Sequence, residues 1–344
     1  MTKPATQRLS PIVWVACVAA LVVTAILCVA VGSVAIPITD VIDVIASHLP
    51  WAHAIPDSPN ATIIWELRLP RVLLALLAGS MLATAGCAYQ GTFRNPLADP
   101  YLLGVSAGAG LGATIAIVSR HGHTSFFVPL FSFTFALGAV AVTYALGHST
   151  HEGRSSATLL LSGVAVASLL TSIQTLIQQR NADKIREVYS WVLGRLGGAS
   201  WDDLKMTSPY IIGCLIVLYQ FRRVLDVFSI GDDEAATLGL PVAKTRAIII
   251  VAASLGTAAA VSVTGLIGFV GIVVPHMIRL RAGSSYRRLV PLSILLGGIF
   301  LMLADLTSRT VLAPQEIPIG VVTALIGAPF FLYILGTAKN RDAS

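Results

Sequence analysis

Residues 12–34 read IVWVACVAALVVTAILCVAVGSV, 23 positions without one charged side chain. A helix rising about 1.5 Å per residue needs about 20 apolar residues to cross a bilayer's hydrocarbon core. The run is longer than a signal-peptide core, and Val31-Gly32-Ser33 makes a poor cleavage site, so it predicts a retained first crossing. Similar runs recur at 67–90, 101–119, 126–147, 158–178, 206–221, 247–265, 266–280, 289–311 and 318–336. They are continuous rather than alternating, which excludes a membrane β-barrel. In lipid each backbone polar group must be satisfied within the chain, so each run predicts a helix. The expectation is an all-α polytopic membrane protein of about ten transmembrane helices, a single transmembrane domain over 1–344. The 266–280 run is short and holds Pro275, so it is expected to be broken or tilted.

Composition agrees. Of 344 residues, 55% are hydrophobic and only 12% charged, about half the charged share of a soluble domain. That excludes an ordinary soluble enzyme, a disordered chain and a basic nucleic-acid binder. The net charge of +6 then reports which loops face the cytoplasm. With the N-terminus inside and the runs alternating, most of the 23 Lys and Arg fall on inside segments, and Val34–Trp65, with none, falls outside. Both termini are expected in the cytoplasm. Cys17, Cys28, Cys87 and Cys214 lie in apolar runs without CxxC or metal-ligand spacing.

One inside loop stands apart: VLDVFSIGDDEAATLGLPVAKTR, 224–246. Three acids at 232–234 followed by Gly239 and Pro241 are start and stop signals for a short helix at about 229–241. It reads either as a solvated connector or as a docking helix for a cytoplasmic partner. Gly104, Gly108 and Gly112 fall at spacing four, and Gly265, Gly268 and Gly271 at spacing three, both compatible with close helix packing.

Several chemistries fail. Residues 239–245 (GLPVAKT) end like a phosphate loop but lack the glycine before the lysine. No cofactor is therefore expected on this chain, and any ATP and Mg would sit on partner subunits. The pairs His148/His151 (with Glu152) and His121/His123 offer too few ligands for a metal site. No nucleophile–base pattern suggests an enzyme. Polar groups in the spans are functional candidates by cost: Asp305 and Arg309 four apart, and Thr171, Gln174 and Gln178 on the fifth run. The latter three could bond between helices or line a path for a large polar ligand. The runs lack the chain of carboxylates expected of an ion-gradient carrier, which stays as a competing reading beside a structural subunit without a path.

Several stretches resemble the permease family of bacterial ABC importers for ferric siderophores, haem and cobalamin. These are RLPRVLLALLAGSMLATAG (68–86), GTFRNPLADPYLLGVSAGAG (91–110), LLLSGVA (159–165), GDDEAATLGLP (231–241), TGLIGFVGIVVPHMIRL (264–280), ADLTSR (304–309) and EIPIGVVTALIGAPFFLYIL (316–335). The resemblance covers nearly the whole chain. It implies ten helices per subunit and a second permease subunit, identical or homologous. It also implies two cytoplasmic ATPase subunits, an extracytoplasmic substrate-binding protein, and a place in the bacterial cytoplasmic membrane. It implies that Arg68, Arg71 and Arg309 accept acidic residues of the binding protein. Gly231, Asp232, Glu234, Ala235, Ala236, Leu238 and Gly239 would form the ATPase coupling helix. Asn95 and Leu97, with Ser155 and Ser156, would sit at cytoplasmic constrictions. The expected cargo is an iron chelate, ferric siderophore or haem, with cobalamin the alternative.

Overall fold

The protein is described by a computed structural model covering residues 10–32, 34–48, 59–119, 126–148 and 156–342, with side chains to Ile334 and without those of Pro59, His148, Ser156 and Ala157. Among the described residues every regular element is helical. In chain order they are α1 (Pro11–Ala30), α2 (Ile38–Ser47), α3 (Pro59–Thr62), a π-helical turn (Ile63–Arg68), α4 (Leu69–Phe93), α5 (Val105–Val118), α6 (Phe127–His148), α7 (Ser156–Arg180) and a 3-10 turn (Ala182–Lys184). Then follow α8 (Ile185–Val192), α9 (Trp201–Gln220), α10 (Arg222–Phe228), α11 (Asp232–Thr237), α12 (Val242–Thr264), α13 (Val270–Ala282), α14 (Tyr286–Thr310) and α15 (Ile319–Asp342).

Each of the ten apolar runs falls on a helix. Among the described residues, six helical stretches are long and apolar enough to cross a membrane: α1, the stretch Asn60–Phe93, α6, α7, α12 and α14. Val105–Val118 and Ile319–Ile334 are apolar but shorter. The break near 266–280 does not come from Pro275, which lies inside α13. It falls earlier, where Gly265 turns with φ +70° and Phe269 with φ +68°. A Cβ on Gly265 would overlap the Trp191 carbonyl oxygen, so only glycine fits this corner.

The bundle is built around α4, which packs against α14, α12, α13 and α9. Small residues make this possible. A Cβ on Gly86 would overlap the Gly271 backbone, and one on Gly79 the Gly297 carbonyl. Backbones this close gain dispersion contacts that lipid tails cannot match. Gly108 and Gly112 of α5 meet backbone carbonyls of Phe135 and Phe131 on α6 in the same way, so that stripe is a packing seam.

Local signals explain the ends. Ser200 and Asp203 form a reciprocal capping box at α9, with Asp203 N–H donating to Ser200 Oγ at 3.2 Å and Ser200 N–H donating to Asp203 Oδ2 at 3.0 Å. α4 stops at Arg94, a left-handed residue (φ +52°) whose N–H donates to Gln90 O.

Candidate functional site

Chemistry gathers at the two opposite ends of α4. At its start lie the three expected arginines, all buried: Arg68 and Arg71 are each 8% exposed and Arg309 is 5%. Each already has partners within the chain. Arg68 Nη1 donates to Val29 O at 2.7 Å and Ala30 O at 2.8 Å, and its Nη2 donates to Val34 O. Arg309 Nη2 donates to Cys28 O. The two guanidiniums therefore satisfy carbonyls at and just past the end of α1, which the helix itself leaves without donors; cations there also suit its negative end.

Arg71 is built differently. Its Nε donates to Asp305 Oδ1 at 2.9 Å, while Nη1 and Nη2 form a two-pronged contact with Glu316 at 2.7 and 3.0 Å. The Asp305 side chain is 1% exposed and the Glu316 side chain 45%. Asp305 and Arg309, four apart on α14, are spaced to pair. That contact exists, Nε to Oδ2 at 3.4 Å, but is too poorly aligned to count as a hydrogen bond. The closer partner is Arg71, at 2.8 Å from a residue 234 positions away. Sequence spacing shows i,i+4 neighbours and is blind to this contact; Glu316 drew no notice as a partner for the same reason.

At the other end of α4, residues 94–104 fold into turns. Asn95 Oδ1 accepts from Leu97 N–H at 2.9 Å, and Asp99 Oδ1 accepts from Tyr101 N–H at 2.8 Å. Gln90 Nε2 donates to Ala98 O and Gly271 O, tying the turns to α4 and α13. Leu97 is 48% exposed. Burial pushes the Asp99 carboxyl up to about 6, against the pull of the Tyr101 N–H.

The loop helix α11 sits beside these turns. Asp232 accepts from Arg246 Nη2 at 2.7 and 2.8 Å, and Arg94 Nη2 approaches it at 3.9 Å. One carboxylate thus joins the start of α11 to α12 and to the residue that ends α4. Of the seven expected coupling residues, Gly231 and Ala235 are buried and Asp232 half-buried; Glu234, Ala236, Leu238 and Gly239 are exposed. Leu238 and Ile230, on either side of α11, are each 67% exposed. Gly239 adopts φ +78° with open space where a Cβ would point.

Thr171, Gln174 and Gln178 all lie on α7 and differ in exposure. Thr171 is exposed, Gln178 half-buried, and Gln174 folds its amide onto α5, where a Cβ on Gly110 would lie 2.9 Å from Oε1. Ser155 lies outside the described residues, and Ser156 is described only as the first residue of α7. His121, His123, His151 and Glu152 also lie outside them. Among the described residues no group of three His, Cys, Asp or Glu is placed to hold a metal.

Known proteins resemble this chain over most of its length. A cobalamin import system permease protein of Halobacterium salinarum, BtuC, is 39% identical over 326 residues, covering 92% of this chain and 87% of its own. A hemin transport system permease protein of Yersinia pestis, HmuU, is 38% identical over 278 residues, with coverage of 79% and 83%. A solved structure described as an inward-facing conformation of an ABC transporter, assigned to the metal-chelate type, superposes with a TM-score of 0.82 at 28% identity. It covers 95% of this chain and all of its own. The FecCD transport family model matches residues 20–337, and the chain belongs to that family of transport permeases.

Proposed function

We propose that this chain is the membrane-spanning half of an ABC importer that carries a bulky metal chelate into the cytoplasm. Ten crossings with both termini inside are supported by the ten apolar runs, each on its own helix, and by the distribution of Lys and Arg. A second copy or homologue would complete the path, two ATPase subunits would bind from the cytoplasm, and a binding protein would deliver cargo from outside. The chain itself performs no chemistry; ATP and Mg belong to the ATPases. The first cargo class is a ferric siderophore or haem. Cobalamin is the second reading, favoured by the match to the Halobacterium permease over 92% of this chain.

The observation that carries the proposal is the Asp232 junction. A motor that pushes on α11 must move the path, and Asp232 links α11 to Arg246 on α12 and to Arg94 beside Asn95 and Leu97. Glu234, Leu238, Gly239 and Ile230 supply an exposed, part-apolar face for the ATPase, while Ala235 anchors the helix inward. Nucleotide binding on the partner then supplies the differential affinity that a population shift requires. Asn95 and Leu97, with Ser155 and Ser156, would form the inner constriction.

Docking of the binding protein falls to the opposite end. Arg71 is the leading residue there, because its Glu316 partner is exposed and a two-pronged arginine contact can pass to an incoming carboxylate. Arg68 and Arg309 would hold the surrounding backbone of α1 for it. The test uses the complex reconstituted in vesicles with its ATPase and binding protein. Glu234→Ala and Gly239→Trp should abolish chelate uptake while ATP hydrolysis continues. Full uptake in both would make α11 an ordinary connector.

A further inference from the structure

Away from both ends, α9 and α12 leave a groove of about 620 Å³ on the outside of the bundle. It is lined by Gly213 and Val217 of α9 and by Ile248, Val251 and Leu255 of α12, and Lys244 is the one charged residue that lines it. The side chains around it are those of a lipid-facing surface: Ile212, Ile216 and Val251 are 46, 52 and 58% exposed. The groove exists because Gly213 offers no side chain; nothing stands within 4 Å of where its Cβ would be.

Its length and charge name an occupant. Lys244 to Leu255 is 11 helical steps, about 16 Å at 1.5 Å each, close to half of a hydrocarbon core about 30 Å thick. The groove is thus one leaflet deep. Its cation lies at the end where α12 begins and where Arg222 and Arg223 follow α9. Arg222 is occupied, donating to Tyr219 O at 2.7 Å and lying over the Tyr219 ring. Lys244 is exposed, and among the described residues no carboxylate pairs with it. A slot between helices that is apolar for one leaflet and cationic at the headgroup level matches an acidic phospholipid.

We infer that the α9–α12 groove binds one acyl chain of an acidic phospholipid from the leaflet at the Lys244 end, with the headgroup phosphate paired to Lys244. The site rests on the chain's place in a membrane and is independent of the cargo. Bound there, the lipid would brace α12, the helix that also receives Asp232 through Arg246.

The test is retention of lipid by the full-length chain purified from bilayer discs holding equal amounts of phosphatidylglycerol and phosphatidylcholine with identical acyl chains, counted by native mass spectrometry. Wild type should retain phosphatidylglycerol about fivefold over phosphatidylcholine, the factor expected from one cation near the surface. Lys244→Gln should bring that ratio close to one. Gly213→Leu, which fills open space and leaves the fold intact, should cut total lipid retention by one molecule per chain, mostly phosphatidylglycerol. Equal retention of the two lipids by wild type would overturn the proposal. So would a ratio unchanged in Lys244→Gln, or a Gly213→Leu chain that loses a protein partner in place of a lipid.

Discussion

The stretch Asn60–Phe93 and helix α7 are equally apolar over their best 18-residue windows, yet 83% of the first window is buried inside the bundle and 11% of the second. Apolarity therefore says that a segment belongs in lipid or core and not which. The distinction lies in small residues and in how polar groups are spent. α4 brings Gly79 and Gly86 against backbones of α14 and α13. α7 carries Ser168, Ser172 and Thr175, each donating to the carbonyl four residues back: Val164 O at 2.9 Å, Ser168 O at 2.8 Å and Thr171 O at 2.9 Å. These hydroxyls are satisfied within their own helix and still exposed. Such a face can meet lipid, water or a second subunit without an unpaired polar group in any of the three.

The contrast breaks most visibly at the glycines. Gly86→Leu must displace the Gly271 backbone and should cost at least about 3 kcal/mol, seen as loss of monodisperse protein after extraction. Ser172→Leu on α7 should leave stability within about 0.5 kcal/mol of wild type, with an unchanged yield of monodisperse protein. Equal losses from the two would mean that α7 is covered within the single chain. The arginines at the ends of these helices repeat the contrast. Arg71→Ala strands the buried Asp305 carboxylate and should lower stability by about 3–5 kcal/mol, whereas Arg180→Ala on the exposed end of α7 should change it by less than about 0.5 kcal/mol. Thermal unfolding in one detergent compares the four variants, and a mild Arg71→Ala would mean that Asp305 draws enough from Arg309 alone.

The helices were legible because lipid leaves the backbone little choice, but the break between α12 and α13 was not: Pro275 lies inside α13, and the chain turns at Gly265 and Phe269 before it. Loop helix α11 was legible because Asp232, Asp233, Glu234, Gly239 and Pro241 act within a few residues of each other. Packing was half legible: Gly108 and Gly112 announced a seam but not its partner, α6. The Arg71 contacts with Asp305 and Glu316 were not legible, since they span 234 and 245 positions and depend on how α4 and α14 meet. Nor could the pattern show that Ala235 points inward while Leu238 points out. Burial of a helix as short as α11 is decided by its neighbours and not by its own periodicity.

The smallest effect sharpens where the burial of α4 ends. Asp99 lies beyond the helix, in the turns held by Gln90, and its carboxyl is pushed up to about 6 from an ordinary 3.8. The folded chain thus binds a proton there more readily than the unfolded chain does. Such a group favours the fold below pH 4 and loses that contribution as pH rises through about 6. Asparagine keeps an oxygen for the Tyr101 N–H and carries no charge to desolvate. Asp99→Asn should therefore match wild type at pH 4, gain on it between pH 4 and 6, and be the more stable at pH 7.5 by on the order of 1–2 kcal/mol. Melting curves of both proteins from pH 4 to 8 give the comparison directly. A constant difference across that range would show that the side chain acts through its hydrogen bond alone, and that the crowded interior around α4 stops at Arg94.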